Sequence, residues 1–149
     1  MVYLMGLKED IAKLITDASK AIGKPMIEGV DFDIIYQPLK HKPVSLQKGK
    51  IAVYTFYYNG DFLKIGQSVD NSRYQSNHYT ECKGQIRLAN SIKADQKMMA
   101  VVGNSRIDDW IKNNCERYDV LIDASKHDKM TLNFVEGLLH YYYKPKYEK

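Results

Sequence analysis

Lys50-Ile51-Ala52-Val53-Tyr54-Thr55-Phe56-Tyr57-Tyr58-Asn59-Gly60-Asp61-Phe62-Leu63-Lys64-Ile65-Gly66 decides the fold. β-Branched and aromatic residues flank an Asn-Gly pair, the dipeptide that best tolerates the positive φ angles of a tight hairpin turn. Two antiparallel strands follow, Lys50 to Tyr57 and Phe62 to Gly66. Side chains alternate along a strand, so a two-residue Asn59-Gly60 loop would pair Tyr54 with Ile65 and send Lys64 to the opposite face. Tyr54, Phe56 and Lys64 can share a face only through a bulge or an odd-length loop. A three-residue Asn59-Gly60-Asp61 loop with Gly60 at positive φ would achieve it.

Upstream, Leu7, Ile11, Leu14, Ile15, Ala18 and Ile22 recur at helical spacing over residues 7 to 22, and Gly23-Lys24-Pro25 supplies a stop. A short strand is expected at Phe32 to Tyr36. Downstream, Ile86, Leu88, Ala89 and Ile92 suggest a helix from about Cys82 to Lys93, and Met98-Met99-Ala100-Val101-Val102 reads as a buried strand. A helix around Ile107 to Cys115 carries Asp108 in its first turn, and Val120-Leu121-Ile122 is strand-like. The last helix, Thr131 to Tyr142, puts Leu132, Val135, Leu139 and Tyr142 on one face, and Lys144-Pro145 ends it. The expected architecture is α/β (α+β), with a small, mostly antiparallel sheet flanked by helices. Residues 1–49 form an N-terminal helix and basic linker packed on a core of residues 50–149.

The chain has 149 residues, of which 44% are hydrophobic and 27% charged, so it can bury a single core and does not have the composition of a disordered segment. A net charge of +4 suits a polyanionic partner without requiring one. Cys82 and Cys115 form no CxxC and no His pair stands at ligand spacing, which argues against structural zinc and for reduced thiols in a cytoplasmic protein. Residues Met1 to Gly6 are mildly apolar but meet Lys8, Glu9 and Asp10 at once, so neither a signal peptide nor a membrane span is expected. Lys40, Lys42, Lys48 and Lys50 surround Pro43 and Gly49 in a stretch that reads equally as a solvated linker or as an arm contacting nucleic acid.

Three short blocks stand in order after the first strand begins: Ile51-Ala52-Val53-Tyr54, Lys64-Ile65-Gly66-Gln67-Ser68, and Arg73 through His78-Tyr79. Leu88-Ala89-Asn90-Ser91-Ile92, Trp110-Ile111-Lys112-Asn113 with Arg117, and Glu136-Gly137-Leu138-Leu139-His140 follow, running into Lys144-Pro145-Lys146-Tyr147-Glu148. Over roughly residues 50–149 this order resembles the GIY-YIG nuclease superfamily, and more narrowly its small restriction-endonuclease-like branch, in which a lysine replaces the second motif tyrosine. The resemblance implies a site of Tyr54, Lys64, Arg73, His78 and Glu136, with one Mg²⁺ or another divalent cation held by Glu136. It implies double-stranded DNA as the partner, cleavage to a 5′-phosphate and a 3′-hydroxyl, and a restriction or other anti-foreign-DNA role. A structure-specific or repair nuclease, and a DNA-binding module without turnover, are the alternatives. Arg117 joins the four lysines as a candidate DNA contact, and a palindromic target would call for a homodimer. Two departures from the pattern stand out: Ala52 replaces the first motif glycine, and Glu148 stands where an asparagine is frequent.

The residue types suit the chemistry. Phosphodiester hydrolysis needs an activated water, neutralised phosphate charge and help for the leaving oxygen. Tyrosine is a poor base at its usual pKa of about 10, but a neighbouring Lys64 or Arg73 favours the phenolate. Arg73 would bind the scissile phosphate through its planar fork. Glu136 would leave most of the shell of Mg²⁺ to water. His78 would carry protons near the leaving group or hydrogen-bond the phosphate. Singly each has a bland reading: the chain has 12 tyrosines, a helix glutamate is usually solvated, and a lone histidine is usually a hydrogen-bonder. Only their joint order points to a site. A second nuclease pattern at Asp119, Asp123 and Lys126 fails because the lysine is one residue too far and would leave the shared face of a strand.

Overall fold

The computed structural model describes residues 6 to 147. Helix α1 (Leu7–Ala21) leads into β1 (Phe32–Gln37), and the hairpin of β2 (Lys50–Tyr58) and β3 (Asp61–Ser68) follows. Helix α2 (Asn71–Gln75) and a 3₁₀ turn (Asn77–Tyr79) precede α3 (Leu88–Lys93), α4 (Gln96–Val102) and α5 (Ile107–Asn114). Strand β4 (Arg117–Asp123) and α6 (Lys129–Tyr143) complete the chain. The four strands make one antiparallel sheet in the order β1-β4-β2-β3, so β3 is an edge. Among the described residues no helix is long and apolar enough to cross a membrane.

Alternation divides the sheet into two cores. Ile51, Val53, Phe62, Ile65, Val120 and Ile122 pack with α1 and α6 on one face. Ala52, Tyr54, Phe56, Leu63 and Leu121 pack with α2, the 3₁₀ turn and α3 to α5 on the other.

Three local expectations are corrected. The hairpin turn is the two-residue Asn59-Gly60 pair, with φ of 50° and 88°, and the odd residue sits in β3. Tyr57 opposes Phe62 and Phe56 opposes Lys64, so Leu63 and Lys64 together face Phe56 across a β-bulge. The bulge restores Tyr54, Phe56 and Lys64 to one face. Met98 to Val102 is not a strand but lies within α4. Asp95 Oδ1 accepts the backbone N–H groups of Lys97 and Met98, and Met98 and Val102, four residues apart, are its buried pair. The helix expected from Cys82 starts only at Leu88. Gly84 at φ 78° breaks it, and Asn90 instead clasps Cys82, accepting from its N–H at 3.0 Å and donating to its carbonyl at 2.9 Å.

Arg117 is corrected as a DNA contact, because it is fully buried. Its Nε lies 3.2 Å from Asp119 Oδ2, Nη1 donates to Tyr79 Oη at 3.2 Å, and Nη2 donates to the Tyr74 carbonyl at 3.0 Å. The guanidinium lies 4.6 Å from the Phe56 ring centroid and 4.9 Å from that of Tyr74. Burial is the largest single influence and works against its charge, but Asp119 together with the oxygens of Tyr79 and Tyr74 more than offsets it and holds the guanidinium protonated. Asp119 in turn accepts from Thr55 N–H (2.9 Å), Gln37 Nε2 (3.0 Å) and Tyr74 Oη (2.9 Å). One ion pair thus ties β1, β2 and β4 to α2 and the 3₁₀ turn.

Truncating either member of that pair strands a buried charge. Arg117→Ala and Asp119→Ala are each expected to lower unfolding free energy by about 3–5 kcal/mol in urea titrations. The double replacement Arg117→Met/Asp119→Leu should cost far less than the sum of the two truncations.

Candidate active site

Because β3 is the edge strand, elements from both faces of the sheet meet beside it. A pocket of about 260 Å³ opens there, lined by Tyr54, Lys64, Gly66, Arg73, Glu136 and His140, with Ile86 from the loop before α3. Four of the five sequence-predicted residues therefore line one cavity. His78, the fifth, is only 1% exposed and stands behind Tyr54 rather than on the wall. Its expected contacts with phosphate and leaving group are corrected accordingly.

Tyr54 is seated by its cross-strand partner. Gly66 pairs with it, and a Cβ at residue 66 would lie 2.3 Å from Tyr54 Oη and 2.5 Å from Cζ. The ring lies across this glycine. On its other side stands His78, with ring centroids 4.6 Å apart and Nε2 2.7 Å from Tyr54 Oη. Burial pushes the Tyr54 phenol up to about 12, the charge and hydrogen bond of Arg73 act to lower it, and the Glu136 carboxylate raises it. Arg73 is thus the cation that most favours the phenolate. Lys64 shares the pocket but is 4% exposed, a cation largely withdrawn from water.

Arg73 is placed by a tight connection between β3 and α2. Ser68 Oγ donates to the Asp70 carbonyl at 2.6 Å, and Asp70 Oδ1 accepts the Arg73 N–H at 2.9 Å as the helix cap. Tyr74, the next residue, is locked to Asp119, and Tyr79, the residue after His78, is locked to Arg117. His41 adds a further contact to Tyr79, its Nε2 lying 2.6 Å from the phenolic oxygen. Each site residue in this segment is therefore followed by a tyrosine that anchors it to the buried ion pair.

Glu136 comes from α6, which packs on the opposite face, and it reaches the pocket past the β3 edge. Gln67 points toward α6 from that strand. Its Nε2 donates to Glu136 Oε1 at 2.6 Å and to Asn133 Oδ1 at 2.8 Å. His140, one turn on, places Nε2 2.6 Å from the Ile65 carbonyl and 3.5 Å from Glu136 Oε2. A carbonyl only accepts, so that nitrogen carries a proton. Sequence reasoning missed Gln67. Its one signal was strand alternation, which turns it away from Gly66 and toward the last helix.

The remaining candidates lie elsewhere. Lys40, Lys42 and Lys48 are exposed on the loop between β1 and β2, Lys50 is half-buried opposite Asp123, and none lines the pocket. That loop is tied to α2, since Asn71 Oδ1 accepts the Leu46 N–H at 2.7 Å. A larger groove of about 610 Å³ between α1 and α6 is lined by Asp10, the Lys13–Asp17 pair (2.6 Å), Tyr142 and Tyr143, and contains none of the five sequence-predicted residues. No protein-family model, curated protein or solved structure matches this chain.

Gly66→Ala forces a methyl group into the Tyr54 ring. It should cost about 1–3 kcal/mol by overpacking and displace the phenol. Gly137→Ala is the control: a Cβ there meets nothing within 4 Å, so this exposed helix substitution should stabilise by up to about 1 kcal/mol. Thermal or urea unfolding of the two variants checks the opposite signs.

Proposed function

We propose that this chain is a divalent-metal-dependent endonuclease that hydrolyses phosphodiester bonds in double-stranded DNA, in the manner of GIY-YIG enzymes and with a restriction or other anti-foreign-DNA role in the cytoplasm. One observation carries the reading: a tyrosine, two cations and a carboxylate from three separate parts of the chain line a single open pocket at a sheet edge.

Glu136 fits a hard divalent cation. It is an oxygen donor whose side chain is one-quarter exposed, and Gln67 holds one of its oxygens in place. The nearest imidazole nitrogen, His140 Nε2, is committed to the Ile65 carbonyl and is not available as a ligand. When bound, the cation supplies Lewis-acid polarisation of a phosphoryl oxygen. The chain's own groups do the rest. Arg73 grips the scissile phosphate and Lys64 adds positive charge beside it. Tyr54 takes the proton of the attacking water. The new P–O bond forms as the bond to the 3′-oxygen breaks, and that oxygen takes a proton from solvent water, leaving a 5′-phosphate and a 3′-hydroxyl.

Incubation of the protein with unmodified plasmid and Mg²⁺, followed by end mapping, should give Mg²⁺-dependent cuts that chelation abolishes. Tyr54→Phe and Glu136→Gln should each lower the single-turnover rate at least about a hundredfold while unfolding curves and DNA affinity stay near wild type. Well-folded variants that cut at the parental rate would remove the proposal. Since only the phenolate accepts a proton and the phenol lies near 12, the rate should rise close to tenfold per pH unit from 7 to 9. Removing the Arg73 charge should displace that limb to higher pH.

Neutralising Lys40 and Lys42 tests the arm. If both touch duplex phosphate, the salt slope of binding falls in magnitude by about 1.8. An unchanged slope returns the segment to a solvated loop.

A further inference from the structure

We propose that His78 is a positioning residue rather than a proton carrier: as the Nε2–H tautomer it donates a hydrogen bond to Tyr54 Oη and turns the phenol's own proton toward the pocket. The inference rests on the site proposed above and concerns how that site is wired. Its starting point is the Leu88 backbone N–H, which donates to His78 Nδ1 at 3.0 Å. Leu88 is the first residue of α3, where an amide has no intrahelical acceptor, and the preceding Arg87 makes no side-chain cap. His78 supplies the missing acceptor.

A backbone N–H can only donate, so Nδ1 must present its lone pair, and a neutral imidazole then carries its proton on Nε2. Tyr54 Oη, 2.7 Å from that nitrogen, is therefore the acceptor. If Tyr54 donated instead, both ring nitrogens would have to accept, which no neutral imidazole can do. An imidazolium would aim an Nδ1–H at the Leu88 N–H. Burial and the charges of Arg73, Lys64, Arg117 and Arg87 also oppose the imidazolium and hold the ring neutral down to about 2. The charged groups acting on the phenol are Arg73 and Arg117, which lower its pKa, and Glu136, which raises it.

Oη accepts from the histidine N–H on one side and from the Arg73 guanidinium on the other, so the phenol's hydrogen is left the part of the pocket that Arg73 does not occupy. When that proton departs, the phenolate keeps a donor from His78 and the charge of Arg73, an arrangement that favours the charged form. His78 neither gains nor loses a proton through the cycle. The partner of its Nδ1 is the first amide of α3, so the start of that helix sets the orientation of the imidazole through a single backbone N–H.

The direct test is a long-range ¹⁵N–¹H correlation spectrum of the histidine rings in the intact wild-type chain, with His78 assigned by comparison with His78→Gln. The expected result is a protonated Nε2 and a pyridine-like Nδ1 that do not change between pH 5 and 8. A proton on Nδ1, or a titration midpoint within that range, would overturn the proposal. This readout needs no catalysis, so a protein that shows the expected tautomer but cuts no DNA would sink the nuclease reading and leave the hydrogen-bond assignment standing. In cleavage assays at pH 7.5, His78→Ala should lower kcat about tenfold or more with KM for DNA unchanged, one pKa unit on the phenol being worth a factor of ten. His78→Gln, whose amide can donate to Oη, should recover most of that loss. A glutamine variant as impaired as the alanine variant, together with an imidazole limb in the wild-type pH profile, would instead make His78 a proton carrier.

Discussion

Arg117 and Asp119 form a buried ion pair at the centre of one face of the sheet, and the candidate site is hung from it. Asp119 accepts from β1 through Gln37, from β2 through the Thr55 amide and from α2 through Tyr74. Arg117 reaches Tyr79 and the Tyr74 carbonyl. A solvent-excluded charge is costly unless paired and hydrogen-bonded, and this requirement fixes where Tyr74 and Tyr79 must lie. Their chain neighbours, Arg73 and His78, are placed by the same constraint. A purely apolar contact at this position would hold the segment with less orientational specificity, because dispersion is not directional in the way hydrogen bonds to a guanidinium are.

The second constraint is the edge. Tyr54 stands on β2, a central strand, and α6 packs in the opposite core, so through the body of the sheet the two are separated. At β3 the carboxylate of Glu136 passes the end of the sheet and enters the pocket that Tyr54 lines. Edge strands expose carbonyls, and here several are covered by groups that also shape the site. Lys146 and Tyr147 donate their N–H groups to the Phe62 and Leu63 carbonyls at 2.9 and 2.8 Å, and His140 takes that of Ile65. The bulge at Leu63 and Lys64 is part of the same solution. It turns one apolar and one cationic side chain toward the same face, the first into the core and the second into the pocket.

Much of this was legible in the order of residues. The hairpin flanks, α1, α5, β4 and α6 follow from alternation and helical spacing, and Lys144-Pro145 marks the end of α6, whereas its start at Lys129, two residues before Thr131, is set by the Asp128 cap that the apolar spacing does not show. Met98 to Val102 was misread because an unbroken apolar run has no period, and only Asp95 in front of it and Gly103 behind carry the helical signal. The bulge left no trace beyond the demand that Lys64 share a face with Tyr54. Arg117 read as a surface cation because a sequence does not reveal that Asp119, two residues on, is buried with it. The pairings of Gln67 with Glu136 and of the Leu88 amide with His78 were missed for a similar reason: alternation turns Gln67 toward the last helix, but both partners are set by packing.

The account predicts one cation and one phosphate at a defined place. An anomalous-difference map from crystals of Tyr54→Phe grown with a short duplex and Mn²⁺ tests it most directly. The predicted result is a single metal peak at the Glu136 carboxylate, with a backbone phosphate between it and the Arg73 guanidinium and residue 54 facing the phosphorus. Metal and DNA bound on another face, with the pocket beside β3 empty of both, would contradict it.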